Sequence, residues 1–150
     1  MSTSQATHQD AELILKLYDL RREPVMREAR NFVVGFAPKS VDEILALTNA
    51  FGSKENAYLR QVYGYWEMAA ALVVHGTLNA LLVYDTCQEM YFAYGKIQPF
   101  LEEFRRKSGM PDFLSNLQKV VEGSAEGRER LARVQKRQAE MAAAAVRQHA

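Results

Sequence analysis

AYLRQVYGYWEMAAALVVHGTLNALLV, residues 57–83, is the most apolar stretch of the chain and contains its only tryptophan, Trp66. Between Glu67 and Asp85 no side chain carries a formal charge when His75 is counted as neutral. Such a segment is poorly suited to a solvent-exposed surface. The sequence therefore predicts a long buried helix, interrupted near Gly76, with Trp66 in the structural core and the other helices packed around it.

The uncharged run 68–84 could also be considered as a membrane span. It is 17 residues long, which is at the lower edge of the length that crosses a bilayer. Polar residues lie at its centre, and neither flank carries a dense Lys/Arg cluster of the kind that sets orientation. A buried core helix is therefore favoured over a span, and the chain is expected to have no membrane partner.

Composition places the chain among single-domain globular proteins. Its 150 residues, of which 48% are hydrophobic and 25% charged, are enough to bury a core without disulfides. The net charge of +1 gives no overall field that would recruit nucleic acid or acidic lipid. Cys87 is the single cysteine, so no internal disulfide can form. With no secretory signal in MSTSQATHQD, the expected location is the cytoplasm.

Helix start and stop signals divide residues 10–123 into a bundle of about six to seven helices. Ser40 with Glu43 three residues later forms a capping box, and Gly52 follows the helix that this box opens. The other helix starts are predicted at Asp10, Pro24, Ser53, Asp85 or Thr86, and Pro111–Asp112. Gly95 and Pro99 predict a kink in the helix over 85–108. No segment alternates as a strand does, so the predicted fold is a single-domain, all-α bundle.

The two ends of the chain differ from this bundle. Residues 1–9 are small and polar, and a flexible N-terminal tail is expected there. Residues 124–150 form a charged C-terminal helix, with six Arg/Lys against three Glu within 124–148. The apolar seam of this helix is thin: Leu131, Val134, Gln138, Met141 and Ala145. The segment is therefore expected to be dispensable for folding.

One polar stripe runs along the central helix, formed by residues three or four apart: Arg60, Gly64, Glu67, Ala71 and His75. The small side chains of Gly64 and Ala71 are expected to let a neighbouring backbone come close. Glu67 and His75 would then lie in a partly dry seam and need partners. For Glu67 we expect an ion pair with an arginine of another helix, namely Arg27, Arg30 or Arg105.

The tyrosines offer a possible ligand site. Six of them lie within residues 58–94, and aromatic side chains with polar tips can line a pocket as well as a core. Together with the polar stripe they predict a candidate ligand pocket formed by Arg60, Tyr63, Glu67, His75 and Tyr91. The alternative is that these aromatic side chains only fill the core and its helix contacts.

Other chemistries find little support. No Glu-x-x-His pair of the kind that binds di-iron centres occurs, so we expect no metal, no cofactor and no enzymatic activity. Cys87 has acidic neighbours and is expected to be an unreactive thiol. Residues 41–66 resemble a helix-turn-helix that could offer Lys54, Asn56 and Arg60 to DNA. The turns that follow are too apolar for a groove, which argues against nucleic acid.

Three segments carry a family resemblance: LYDLRREPVMREARNF (17–32), RQVYGYWEMAAALVVHGTLN (60–79) and KIQPFLEEFR (96–105). They resemble uncharacterised bacterial all-helical proteins that are classified as domains of unknown function. The resemblance covers roughly residues 10–122. It implies a helical, bacterial protein and brings no catalytic residues with it.

Two hypotheses follow. The first is a non-enzymatic helical interaction or scaffold protein, which associates with itself or with a protein partner. The alternative is a small-molecule-binding helical bundle with an aromatic pocket near Glu67 and His75. A cavity of several hundred cubic ångströms lined by these residues would favour the alternative.

Overall fold

A computed structural model describes residues 4–150, which form an all-α, single-domain bundle without strands. The helices are α1 (His8–Leu20), α2 (Pro24–Gly35), α3 (Val41–Asn49), α4 (Lys54–Val74), α5 (Ala80–Thr86), α6 (Gln88–Ile97), α7 (Leu101–Ser108), α8 (Ser115–Glu122) and α9 (Ala125–Gln148), with a 3₁₀ turn (Gln98–Phe100) between α6 and α7. The predicted fold class is confirmed. The helices outnumber the predicted six to seven because 77–84 contains the separate α5 and 85–108 is divided into α6, the turn and α7.

The central helix α4 begins and ends at the predicted residues. The Ser53 hydroxyl accepts a hydrogen bond from Asn56 N at 3.1 Å and caps its N-terminus. His75 is the C-cap, and Gly76 follows with φ +76°, a left-handed conformation that favours glycine. α4 packs mainly against α2 on one side and α8 on the other. This arrangement buries Trp66 completely.

Most of the buried tyrosines tie neighbouring helices together. Tyr63 donates its hydroxyl to the Ala93 carbonyl at 2.7 Å, and Tyr65 donates to the Leu17 carbonyl at 2.5 Å. Tyr94 donates to the Glu122 carboxylate in the same way. These bonds satisfy the polar tips inside the core. The dense population of tyrosines is therefore used largely for packing between helices.

The helical part of the chain begins within the segment predicted as a tail. The tail prediction, 1–9, lies partly outside the described residues, but α1 begins at His8, because Thr7 and Asp10 form a capping box. The Asp10 carboxylate also accepts from Asn79 N at 2.8 Å, at the start of α5. Hydrogen bonds from Thr7 and from Asn79 hold the pKa of Asp10 below its ordinary value.

The start predicted at Asp10 lies instead at the N-cap Thr7, and two further predicted helix starts are wrong. The N-cap of α6 is Cys87 and not Asp85 or Thr86, since the Thr86 hydroxyl donates to the Leu82 carbonyl at 2.6 Å instead. α8 begins at Ser115 and not at Pro111–Asp112, because Leu114 adopts a left-handed conformation (φ 55°) just before it. The irregularity predicted at Gly95 and Pro99 is present as the 3₁₀ turn.

The first half of α9 packs on the bundle against α6 and α8. Leu131 is buried there. Gln138 donates to the Phe92 carbonyl at 2.9 Å, and Gln135 donates to the Gly95 carbonyl at 3.2 Å. Beyond Gln138 nearly every side chain is exposed. No helix within residues 4–150 is both long and apolar enough to cross a bilayer.

Candidate ligand pocket

A pocket of about 350 Å³ opens beside the middle of α4. Its walls come from α3, α4, the end of α6 and the turn that precedes α8. The lining residues are Ile44, Thr48, Asn56, Leu59, Arg60, Tyr63, Gly64, Glu67, Ile97, Asp112, Phe113 and Leu114. Four separate segments of the chain therefore meet at this one site.

The pocket is lined almost entirely by apolar surface, with two charged residues at its edge. Five buried side chains form the floor: Ile44, Leu59, Tyr63, Ile97 and Leu114. Arg60 and Asp112 are exposed at the rim. An apolar interior with a few polar groups at its edge is the usual character of a small-molecule site.

Arg60 is positioned by a buried asparagine. The Asn56 side chain is fully buried, and its Nδ2 donates to the carbonyls of Leu47 and Thr48 at 2.9 Å each, at the C-terminus of α3. The remaining amide oxygen, Oδ1, accepts from Arg60 Nε at 2.9 Å. Because Asn56 is fixed from two sides, it holds one edge of the Arg60 guanidinium at the pocket.

Glu67 does not form the predicted ion pair. Its Oε1 accepts from the backbone N and the Nδ2 of Asn116 at 3.0 and 2.8 Å, and its Oε2 accepts from Leu117 N at 2.9 Å. These backbone groups belong to the first turn of α8, where N–H groups lack partners within the helix. Glu67 therefore caps α8 from a distance, and the positive end of that helix takes the role expected of an arginine.

The three arginines proposed as partners of Glu67 lie elsewhere. Arg30 pairs with Glu89 at 2.6 Å, next to a second pair between Arg21 and Glu89 at 2.9 Å. Arg105 donates to the Phe113 carbonyl and to Gln118. Arg27 is exposed. Of the three, only Arg30 forms an ion pair: it shares Glu89 of α6 with Arg21, the C-cap residue of α1, and Glu89 was not among the predicted partners.

Of the five residues proposed for a pocket, three line it and two do not. Arg60, Tyr63 and Glu67 lie on the pocket side of α4. His75 is exposed at the end of α4, because the helix stops at Val74 before another turn can carry the stripe further. Tyr91 is fully buried in the core, and its hydroxyl has no hydrogen-bond partner among residues 4–150. Burial raises the pKa of Tyr91 to about 12.

Tyr63 contributes its ring and not its hydroxyl to the pocket. The hydroxyl is engaged with the Ala93 carbonyl, and burial raises the pKa of Tyr63 well above its ordinary value. Tyr63 is therefore a neutral, apolar part of the floor. It cannot serve as a proton donor or as an anion there.

Gly64 and Leu114 both line the pocket, and each has an unusual feature. Gly64 lies in the interior of α4, and no atom lies within 4 Å of the position a Cβ would take. The expectation that Gly64 admits a neighbouring backbone is wrong, because this side of the helix faces the open pocket. Leu114 is the only non-glycine residue with positive φ within residues 4–150. Left-handed leucine is strained, and such strain concentrates at functional sites.

Sequence reasoning missed several lining residues. The position of Asn56 was predictable, since a residue four positions before Arg60 shares its helix face. From the sequence, Asn56 was considered only as a DNA contact. Its burial makes it inaccessible for that role. Phe113 and Leu114 carried no signal, because they reach the pocket through a turn whose geometry is not encoded by a local pattern.

Neither a metal cluster nor a reactive thiol is found near the pocket. Within residues 4–150 no three His, Cys, Asp or Glu side chains are grouped so that they could hold a metal ion. Cys87 is buried at the start of α6, and burial raises the pKa of its thiol. The pocket thus offers one guanidinium, one carboxylate at its rim and an apolar floor.

A family model matches most of the chain. A model of the family described as "Domain of unknown function (DUF4760)" matches residues 6–124. The matched range confirms the resemblance to a helical domain of unknown function and includes every residue that lines the pocket. No curated protein and no solved structure matches the chain.

Proposed function

The chain belongs to the family described as a domain of unknown function (DUF4760), and we propose that it is a small-molecule-binding helical protein. The ligand would occupy the pocket of about 350 Å³ beside α4. Ligand sites commonly measure about 300–1,000 Å³, so this one suits a molecule smaller than a typical drug. We propose binding without catalysis, because the polar atoms of Glu67 and Tyr63 are already engaged in hydrogen bonds to other helices.

The observation that carries this proposal is the open space at Gly64. Glycine in a helix interior costs roughly 0.5–1 kcal/mol relative to alanine. Nothing in the packing of the protein requires it here, since a Cβ at this position would meet no atom within 4 Å. Gly64 lines the pocket, so the lack of a side chain at this position leaves that part of the pocket open. The strained Leu114 on the same pocket supports the same interpretation.

Filling the pocket tests the proposal. Gly64→Leu adds a branched side chain to the lining of the pocket, and Gly64→Ala adds a single carbon. Ala57→Leu places leucine on the same helix at an exposed position that does not line the pocket. Native mass spectrometry of freshly purified protein would detect a retained ligand, and a thermal-shift screen of small organic compounds would find others. We expect Gly64→Leu to lose them and Ala57→Leu to keep them.

The alanine variant separates stability from binding. Gly64→Ala should raise the free energy of unfolding by about 1 kcal/mol through helix propensity, while ligand affinity falls less than in Gly64→Leu. A wild-type protein that retains nothing and responds to no compound would contradict the proposal. So would compounds that bind Gly64→Leu as tightly as the wild type.

Self-association, or contact with a protein partner, is a second candidate function. Helix α1 exposes three large apolar side chains, with Leu15 67%, Tyr18 55% and Leu20 54% exposed. Leu15 and Tyr18 lie one turn apart on the same face of α1, and apolar side chains grouped in this way often mark an interface. We also propose that the protein is bacterial and that it is located in the cytoplasm. The free Cys87 is consistent with a reducing compartment.

A further inference from the structure

We propose that the ligand is a small apolar molecule that ends in a single carboxylate, and that Arg60 is its anchor. This inference rests on the proposed function, because it assigns a chemical class to the occupant of the same pocket. It is carried by the Arg60 guanidinium at the rim, the buried Asn56 that positions it and the apolar floor below.

Arg60 has N–H groups that can donate hydrogen bonds to a ligand. Its Nε is used by Asn56 Oδ1 at 2.9 Å, and its two terminal nitrogens have no protein acceptor among the residues that the structure describes. A guanidinium binds a carboxylate through two parallel N–H···O bonds, and this geometry is strongest when the guanidinium is already oriented. The contact with Asn56 removes part of the rotational freedom that a free arginine would lose on binding.

The remaining charges argue for one negative charge and no more. Arg60 is the only cation among the lining residues, whereas Glu67 and Asp112 both carry negative charge there. A phosphate monoester would bring about −1.5 to −2 charges against a single guanidinium and beside two carboxylates. A monocarboxylate places one charge on Arg60 and leaves its apolar part for the floor.

The same geometry favours an anionic ligand over a cationic one. Both oxygens of Glu67 already accept hydrogen bonds from the first turn of α8. Asp112 is exposed at the rim. Arg60 is held in place by a side chain that is itself fully buried. Arg60 and Asp112 are both exposed, but an anion meets a guanidinium that Asn56 already orients.

Four compounds with the same eight-carbon chain test the assignment: octanoate, octan-1-ol, octylamine and octyl phosphate. Isothermal titration calorimetry against the full chain should rank octanoate first. We expect it to bind about tenfold more tightly than the alcohol, since the charged hydrogen bonds are made at a partly solvated rim. The amine and the phosphate ester should bind more weakly than octanoate.

Three variants identify the anchor. Arg60→Gln removes the charge but retains a polar chain, and should weaken octanoate binding about tenfold while octan-1-ol affinity stays within about twofold. Arg133→Gln, an exposed arginine on α9 outside the pocket, should leave both affinities unchanged. Asp112→Asn should tighten octanoate binding, because it removes a like charge from the rim.

The outcomes separate this inference from the function on which it rests. If octan-1-ol binds the wild type and is lost in Gly64→Leu, but octanoate binds no better, the pocket stands and the carboxylate assignment fails. If octylamine binds most tightly and Asp112→Asn abolishes its binding, the site is cationic and the inference is overturned. If none of the four compounds binds, the carboxylate assignment fails; the function itself is then decided by the retained-ligand and screening experiments.

Discussion

The carboxylate of Glu67 shows how a helix N-terminus can replace a cation. The first turn of α8 has no side-chain cap of its own, since Leu114 occupies the N-cap position. Glu67 satisfies the N–H groups of Asn116 and Leu117, which a local cap residue would otherwise bind. Asp10 makes a related long-range contact: its carboxylate accepts from the backbone N of Asn79, which caps α5 with its own side chain. In both cases a carboxylate joins helices that are distant in sequence.

Glu67→Gln should destabilise the fold by about 1–3 kcal/mol. The amide retains one acceptor, but its NH₂ group would face an N–H donor, and the favourable interaction with the helix dipole is lost. Urea unfolding measures the effect. A double-mutant cycle identifies the partner: Glu67→Gln should couple to Asn116→Ala and not to Arg30→Gln. Equal stability of Glu67→Gln and the wild type, or coupling to Arg30, would contradict the capping role.

Helix starts were predicted correctly at Ser40 and Ser53, where the cap is local, although the equally local box of Thr7 and Asp10 was predicted as a start at Asp10. Ser40 and Ser53 cap α3 and α4 through hydroxyls that accept from residues three positions later, so a four-residue pattern contains the whole interaction. The start of α8 was not predictable, because its cap is Glu67, about fifty positions earlier in the chain. The same reason explains the error at Pro111–Asp112, which supplies a suitable pattern without the matching contact.

Helix α9 contains two halves of different character. Up to Gln138 it contacts the bundle through Leu131 and through amide side chains that bind carbonyls of α6. From 139 onward it is almost entirely exposed. The expectation that 124–150 is dispensable remains untested, but these contacts favour a different result for the two halves.

Two truncations distinguish these halves. Ending the chain after Gln138 should leave the melting temperature nearly unchanged, because few buried contacts are lost. Ending it after Gly123 should lower the free energy of unfolding by about 3 kcal/mol or more, since it exposes the surface under Leu131 and removes several hydrogen bonds. Thermal melts followed by circular dichroism provide the measurement. If both truncated chains melt like the wild type, the sequence-based expectation is correct and the contacts of α9 contribute little.

The pocket was predictable only where one helix determines it. Arg60, Tyr63 and Glu67 lie three or four residues apart, so the period of α4 alone brings them to one side. The opposite walls come from α3, the end of α6 and the turn at Leu114, and their placement depends on the packing of the whole bundle. His75 shows the limit of the periodic argument, because the pattern continues in the sequence after the helix has ended.

The oligomeric state is the last property to be tested. Leu15 and Tyr18 lie one turn apart on α1 and are 67% and 55% exposed, so a second copy could cover them with its own α1 in a symmetric contact. Replacing both with glutamate would place like charges across such an interface. We expect wild-type dimers in native mass spectrometry, and a dissociation constant raised about 30-fold or more in Leu15→Glu/Tyr18→Glu.

A control substitution on another surface shows whether any loss of dimer is specific to α1. Met141 on α9 is 57% exposed, so Met141→Glu adds the same charge far along the chain from α1. The melting temperature of each variant should stay close to that of the wild type, because none of the three side chains belongs to the core. If Met141→Glu dissociates the dimer and the α1 variant does not, the interface lies on α9. A wild-type protein that is monomeric at every concentration would contradict the self-association hypothesis. Ligand binding would then be the function to test.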